Sequence, residues 1–194
     1  MIFIGYDEKY PQQYYNCIST ISSPTLPTPK LDRRGSTAFT FSRFLIPEYT
    51  DYQGWHVFAD SDFLFLDNID KLFNLIDERF AVLVVKHSDY EAQSIKMNGK
   101  TNLYYDRKNW ASLILWNSQH PSNKCLTTEY ILQAPSLDLL QFKWLRDDEI
   151  GELPAEWNVL IGHHNEVGAK GLHFTNGTNN DYYRYRYESA IENN

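Results

Sequence analysis

Residues 55–65 read Trp55-His56-Val57-Phe58-Ala59-Asp60-Ser61-Asp62-Phe63-Leu64-Phe65, an apolar and aromatic run interrupted by two carboxylates one residue apart. Such a run predicts a buried strand, and charges are seldom buried unless paired or bound to a metal. Acids at the point where a buried strand leaves the core can hold a divalent cation, and that cation can hold a diphosphate. A cation held in that way would suit a nucleotide-sugar enzyme. The alternative is a solvated acidic turn, a common setting for two nearby aspartates.

Working outward, the chain alternates strand and helix signals, which gives an α/β class. Ile2, Phe3 and Ile4 form a short apolar strand ending at Gly5, with Tyr6 and Asp7 where a ligand-binding loop follows the first strand of an open α/β sheet. A turn with a helix cap is the other reading of that pair. Residues 25–34 carry two prolines and several charges and read as a loop. Ser36 is expected to cap a helix reaching Ile46 and ending at Pro47, with Phe41, Phe44 and Leu45 on its buried face. Arg43 lies off that stripe, either as a phosphate- or sugar-binding guanidinium or as an exposed helical arginine. Asp67 or Asn68 can cap a further helix through Ile69, Leu72, Phe73 and Ile76, and residues 80–85 form a second buried strand.

Residues 86–108 are polar, with a turn at Asn98-Gly99, and form either a substrate-covering loop or a surface excursion. Residues 110–116 are apolar again, and Pro135 interrupts helical signals between 125 and 140. Leu153-Pro154 and Trp157-Asn158 lie on a connecting segment. Residues 171–174 lead into a turn-rich loop at 175–180, and residues 181–194 read as a polar tail. No repeat or linker divides residues 1–194, so one domain is expected.

The formal net charge of −7 and the lack of a basic run exclude a general nucleic-acid binder. No apolar stretch reaches the length of a membrane span, and no basic-then-apolar leader opens the sequence, so a cytoplasmic protein is expected. Cys17 and Cys125 have no metal-ligand spacing and are expected as free thiols. Phosphate-cradling and dinucleotide glycine motifs are missing, as is the glycine-flanked serine elbow of acyl hydrolases. Asp60, Asp62 and His173 form the best candidate metal site, with carboxylates suiting magnesium or manganese and one imidazole favouring manganese. A structural histidine is the alternative for His173. His163-His164 reads as a loop pair, and Asp147, Asp148 and Glu149 as either a sugar-orienting cluster or a solvated face.

The ordered motifs I-F-I-G-Y-D (2–7), S-T-A-F-T-F-S-R-F (36–44), D-S-D (60–62), R-K-N-W-A-S-L-I-L-W-N (107–117), W-L-R-D-D-E-I-G (144–151), L-P-A-E-W-N (153–158) and H-F-T-N-G (173–177) resemble bacterial glycosyltransferases related to glycogenin and the lipopolysaccharide galactosyltransferases. The resemblance spans nearly the whole chain. It implies a single-domain GT-A (Rossmann-like) fold with a mostly parallel central sheet flanked by helices. It also implies a nucleotide-diphosphate sugar donor, a Mn2+ or Mg2+ ion, an unknown glycan, lipid or protein acceptor, and transfer with retention.

By the same resemblance Asp60, Asp62 and His173 match the metal ligands. Gly5, Tyr6 and Asp7 match the base-receiving loop, Arg43 the helix arginine near the donor, and Asn109 a polar residue by the donor sugar. Asp147 or Asp148 matches an acid that contacts the sugar. Ser61, between the metal acids, and Asn176 and Gly177, after the histidine, complete the expected donor contacts. Relatives commonly carry a basic residue and a glycine-rich, proline-ended segment in that last loop, and larger ones a C-terminal extension with acceptor or membrane contacts. Here Asn176-Gly177-Thr178-Asn179-Asn180 stands instead, with Lys170, which precedes the histidine, as the substitute basic residue. A nucleotide-sugar-binding relic and a metal-dependent phosphoesterase are the alternative functions.

Overall fold

The computed structural model describes residues 1–33, 35–87 and 105–192. The Asn98-Gly99 turn, and with it most of the polar connection, lies outside the described residues. Among the described residues nine strands form two sheets: β1 (Ile2–Ile4), β2 (Thr25–Pro27), β3 (Trp55–Ala59), β4 (Phe63–Phe65), β5 (Val82–Val84), β6 (Leu113–Asn117), β7 (Ile150–Glu152), β8 (Val159–Leu160) and β9 (Gly171–His173). The central sheet has the order β2-β1-β3-β6-β5-β7, and the small one β4-β9-β8. In the central sheet only β6 runs against its neighbours. The sheet is therefore mostly parallel, as expected.

Side-chain alternation explains why the strands read as continuous apolar runs. Phe3, Phe58, Val82, Val84, Ile114 and Trp116 face one layer, while Ile2, Ile4, Val57, Ala59, Leu83, Leu113 and Leu115 face the other. Adjacent residues of a strand point to opposite faces, so a sheet covered on both sides needs apolar residues at every position. One cover comprises α2 (Phe39–Ser42), α3 (Ile46–Tyr49), α4 (Thr128–Gln133) and α5 (Ser136–Leu140). The other comprises α1 (Pro11–Ser19) and the small sheet, whose outer side receives α6 (Asp181–Glu192). Each fully buried Phe or Leu contributes about 1.5–3 kcal/mol relative to exposure.

Several local readings change. Residues 25–27, read as the start of a loop, form the edge strand β2, a place where proline is tolerated. The expected helix from Ser36 to Ile46 is three short pieces: α2, a 3-10 turn at Arg43–Leu45, and α3. Pro47 does not end it. It sits in the first turn of α3, where a missing N–H costs nothing. Ser36 is not the cap either, since the Ala38 amide donates to Asp7 Oδ2 at 2.9 Å. Residues 69–75 form a 3-10 helix rather than an α-helix, capped by Asn68. Residues 181–192 are helical, because Tyr183, Tyr187 and Ala190 recur at i, i+4 and i+7, with Tyr183 packed in the small-sheet core and Tyr187 against it.

Candidate metal and donor site

The parallel strands deliver their following loops to one rim of the central sheet, the place where open α/β sheets bind ligands. Gly5, Tyr6 and Asp7 follow β1, Asp60 follows β3, and His87 follows β5 by three residues. Because β6 runs the other way, the segment before it, Asn109 to Ser112, reaches the same rim.

The D-S-D segment is where the chain passes from the central sheet to the small one. The Asp60 amide donates to the Ser112 carbonyl at 2.9 Å, which holds the exit from β3. Antiparallel pairing of β4 with β9 then sets Phe63 opposite His173. The His173 ring stacks on Phe63 with centroids 4.4 Å apart. The Phe174 amide donates to the Asp62 carbonyl at 3.0 Å. Residues more than a hundred positions apart thus converge, and one ligand atom each from Asp60, Asp62 and His173 lies within 4.8 Å of the others.

The electrostatics of this cluster call for a cation. Asp60 Oδ1 and Asp62 Oδ1 are buried and accept no hydrogen bond. Arg43 Nη1 lies 2.8 Å from Asp60 Oδ1, a charge contact only, while the same nitrogen donates to the Ala111 carbonyl at 2.5 Å. Burial pushes the Asp60 carboxyl up to about 7; the Arg43 guanidinium opposes this and the Asp62 charge adds to it. Of the two carboxylates only Asp60 meets a guanidinium, and the donor set of oxygens with one imidazole fits Mn2+ or Mg2+. Arg43 is not an exposed helical arginine. It is 5% exposed and lies 4.8 Å from the Phe58 ring centroid. Behind the acids, Cys17 is buried, and burial together with the Asp62 and Asp60 charges raises its thiol pKa. Cys17 and Cys125 are both free, as expected.

His173 has a second partner. Its Nδ1 lies 3.0 Å from Asn158 Oδ1, and Asn158 Nδ2 donates to Ser112 Oγ at 3.0 Å. Ser112 Oγ donates to the Asn109 carbonyl at 2.5 Å. Asn109 adopts the left-handed backbone region at φ 66°, and its buried Nδ2 has no partner. Five of the eight buried, unpartnered side-chain atoms among the described residues belong to segments flanking this rim or following β9: Asp60 Oδ1, Asp62 Oδ1, His87 Nε2, Asn109 Nδ2 and Thr175 Oγ1. Unpaired buried polar groups are costly, so their concentration marks a place that awaits a polar ligand.

The remaining expected residues are placed as follows. Gly5 admits the Phe39 ring, which a Cβ would meet at 2.7 Å. Tyr6 packs edge-on against Tyr14 at 5.3 Å. Asp7 is buried and already serves as a cap, accepting from the Lys9 and Ala38 amides. Ser61 is buried. Asn176 and Gly177 lie on the loop after β9, where Gly177 has φ 105° and Thr178 is tied to Gln13. Lys170 pairs with Glu156 at 3.3 Å. Asp147 and Asp148 sit in a 3-10 turn on the amino side of β7, exposed and paired with Arg107 and Arg146 respectively. They do not join the Asp60–Asp62–His173 cluster.

Sequence reading missed Asn158, Ser112, Thr175 and His87. The polar Asn158 directly after the aromatic Trp157 was the one available signal. His87 is stacked on His164 with centroids 5.3 Å apart. Burial lowers the His87 imidazole to about 3, with the neighbouring His173 and His164 adding, so it is neutral.

Comparison with known proteins fits this architecture. No family model matches the chain. Among solved structures it is similar to the apo bifunctional glycosyltransferase WbbM, with TM-score 0.66 and 16% identity over 99% of this chain and 49% of that one. It is also similar to the glycosyltransferase GlyE of Streptococcus pneumoniae TIGR4, with TM-score 0.64 and 14% identity over 98% of this chain and 59% of that one. The galactosyltransferase LgtC, solved with donor and acceptor sugar analogues, gives TM-score 0.55 and 12% identity over 98% and 95%. The chain thus spans about half of the first structure and three fifths of the second. At these identities the likeness establishes the fold, which is that of GT-A glycosyltransferases. Among the described residues no helix is long and apolar enough to cross a membrane. Sequence similarity is far higher to one curated protein, Protein CDI of Arabidopsis thaliana, 39% identical over 200 residues that take in 91% of this chain and 77% of that one. With identity and coverage at that level, the chain belongs to the family of Protein CDI.

Proposed function

We propose that this chain is a metal-dependent glycosyltransferase that moves a sugar from a nucleotide-diphosphate sugar to an acceptor hydroxyl. The observation that carries this reading is the concentration of unpartnered buried polar atoms around Asp60 and Asp62, within a GT-A fold. Asp60, Asp62 and His173 would hold Mn2+ or Mg2+. A cation held there would supply Lewis acidity to offset the negative charge of the departing nucleoside diphosphate.

The chain's own residues would do the rest. Arg43 fixes Asp60, and the Asn109 amide offers a donor to the sugar. Gly5, Tyr6 and Asp7 flank the base, while Ser61, Asn176 and Gly177 border the diphosphate. Asp147 or Asp148 would reach the sugar only by exchanging its arginine partner for a hydroxyl. Retention of configuration is part of the proposal and rests on the resemblance to the glycogenin and lipopolysaccharide galactosyltransferase group. In that chemistry the anomeric carbon loses its bond to the diphosphate and gains the acceptor oxygen on the same face. The acceptor proton passes to the leaving phosphate. One domain, a cytoplasmic location, and a glycan, lipid or protein acceptor belong to the same reading.

The test is a panel of nucleotide sugars screened by thermal shift with and without Mn2+, since a ligand that binds only the folded state raises Tm by mass action. A donor that stabilises the protein only with Mn2+, followed by Mn2+-dependent donor hydrolysis, supports the enzyme. No stabilisation by any nucleotide sugar would overturn it. A second reading, a binding protein without turnover, is favoured by the arginine-paired state of Asp147 and Asp148. It predicts the thermal shift without hydrolysis.

A further inference from the structure

We infer that Asn158 is a positioning residue for the metal centre and that, through Ser112, it joins the cation ligands and the Asn109 turn into one rigid unit. This rests on the metal reading of Asp60, Asp62 and His173 but adds a role for residues outside that set.

The geometry is a continuous buried chain. Asn158 is 0% exposed, Ser112 4% and His173 3%, so water cannot substitute for a lost partner. Ser112 has one hydroxyl proton, and Ser112 Oγ gives it to the Asn109 carbonyl at 2.5 Å. Its lone pairs therefore face Asn158, which must present the amide Nδ2 to Ser112 at 3.0 Å. That leaves Asn158 Oδ1 facing His173 Nδ1 at 3.0 Å. An amide oxygen only accepts, so His173 Nδ1 must carry the proton. Nε2 then bears the lone pair, and it is the nitrogen facing Asp62, with Oδ1 3.4 Å away. The proton order starts at a serine hydroxyl and ends by fixing which imidazole nitrogen can bind a cation. Partners of this kind orient ligating histidines and raise their basicity.

The same chain reaches the other wall. The Asn109 carbonyl also accepts the Ser112 amide at 3.2 Å, so the left-handed turn that carries the unpartnered Asn109 Nδ2 is fixed by Ser112 from two atoms. The Asp60 amide donates to the Ser112 carbonyl, so the residue linking Asn158 to Asn109 also holds the first acid. Ser112 thus touches both halves of the site.

Three variants and one spectrum test this, using Mn2+ alone as the probe and electron paramagnetic resonance titration of free Mn2+. Asn158→Leu removes both hydrogen bonds, and its Mn2+ affinity is expected to fall about 10- to 100-fold. Asn158→Asp still accepts from His173 Nδ1, and its affinity is expected within about threefold of wild type, from the same consideration. Ser112→Ala frees the amide to rotate and should fall between them. In the wild-type protein labelled with 15N histidine, the His173 signals are expected to report Nδ1–H with Nε2 unprotonated. Folded Asn158→Leu that binds Mn2+ as wild type does would overturn the inference. So would a wild-type His173 protonated at Nε2, a measurement that stands even if Asn158→Leu fails to fold. Mn2+ binding that obeys this order without any nucleotide-sugar binding would overturn the proposed transferase and leave this inference in place. A wild-type protein that binds no Mn2+ would overturn both.

Discussion

Two acidic triplets in this chain, D-S-D at 60–62 and D-D-E at 147–149, look alike in sequence and are opposites in the fold. In the first, Asp60 Oδ1 and Asp62 Oδ1 are buried without hydrogen-bond donors, and the one guanidinium at hand, Arg43, meets Asp60 only. In the second every acid is satisfied. Asp147 pairs with Arg107 and Asp148 with Arg146, while Glu149 accepts from Ser122 Oγ at 2.6 Å and the Arg146 amide at 2.8 Å. The side chains of Asp147 and Asp148 are 90% and 73% exposed. A carboxylate with its partners in place is a structural group, whereas one buried without them is held for something else.

The sharpest way to break this contrast is Asp62→Asn. Mn2+ affinity measured by calorimetry is expected to fall by about 100-fold or more, since a neutral amide replaces one of two anionic ligands. Metal-free Tm should hold or rise, because Asp60 loses a like-charged neighbour. Unchanged Mn2+ affinity would return D-S-D to the status of an acidic turn. Next in size is Arg43→Met, which strips the buried Asp60 carboxylate of its counter-charge and should cost about 3 kcal/mol in urea unfolding near pH 8. That cost should shrink below pH 6, where Asp60 takes up a proton. A pH-independent loss would point to packing instead.

The pH dependence of the wild type comes third. Asp60 titrates higher in the folded protein than in the unfolded chain, so over that interval the folded state holds the extra proton. Its contribution to stability is then complete below about pH 4 and is lost as pH rises to about 7. Chelator-treated protein should show this decline, and Mn2+ affinity should strengthen over the same range as the cation displaces the proton. The smallest effects are expected for Asp147→Asn and Asp148→Asn. Exposed pairs contribute little, so Tm should stay within about 2 °C and Mn2+ affinity within about twofold of wild type. A loss of nucleotide-sugar binding in either variant would move the D-D-E turn into the donor site and erase the contrast.

Much of the fold was legible because burial on both faces leaves a local signature. Residues 57–59, 80–85 and 113–116 are apolar without a break, and each contains or makes up most of a central strand. The candidate metal cluster was legible from residue types, a carboxylate pair and a late histidine, and the fold brings those three residues together. What stayed hidden depends on pairing between distant segments. Asn158 gains meaning only when β8 pairs with β9 and brings His173 beside it, and His87 only when the fold stacks it on His164. The helix expected from Ser36 starts instead at Phe39, where the Ala38 amide is capped by Asp7, about thirty residues upstream, which no local pattern announces. The helix at 181–192 was obscured by composition, its apolar face being built from tyrosines among arginines.

The edge strand β2 has a consequence for how this protein meets other chains. The Thr28 amide donates inward to the Ile4 carbonyl, so by alternation the position pointing away from the sheet is residue 27, a proline with no N–H to offer. A foreign strand approaching this border finds a missing donor where the hydrogen-bonding ladder would continue. The rim that carries the candidate site stays open, while the lateral border at β2 is blunted against cross-β growth by a single ring.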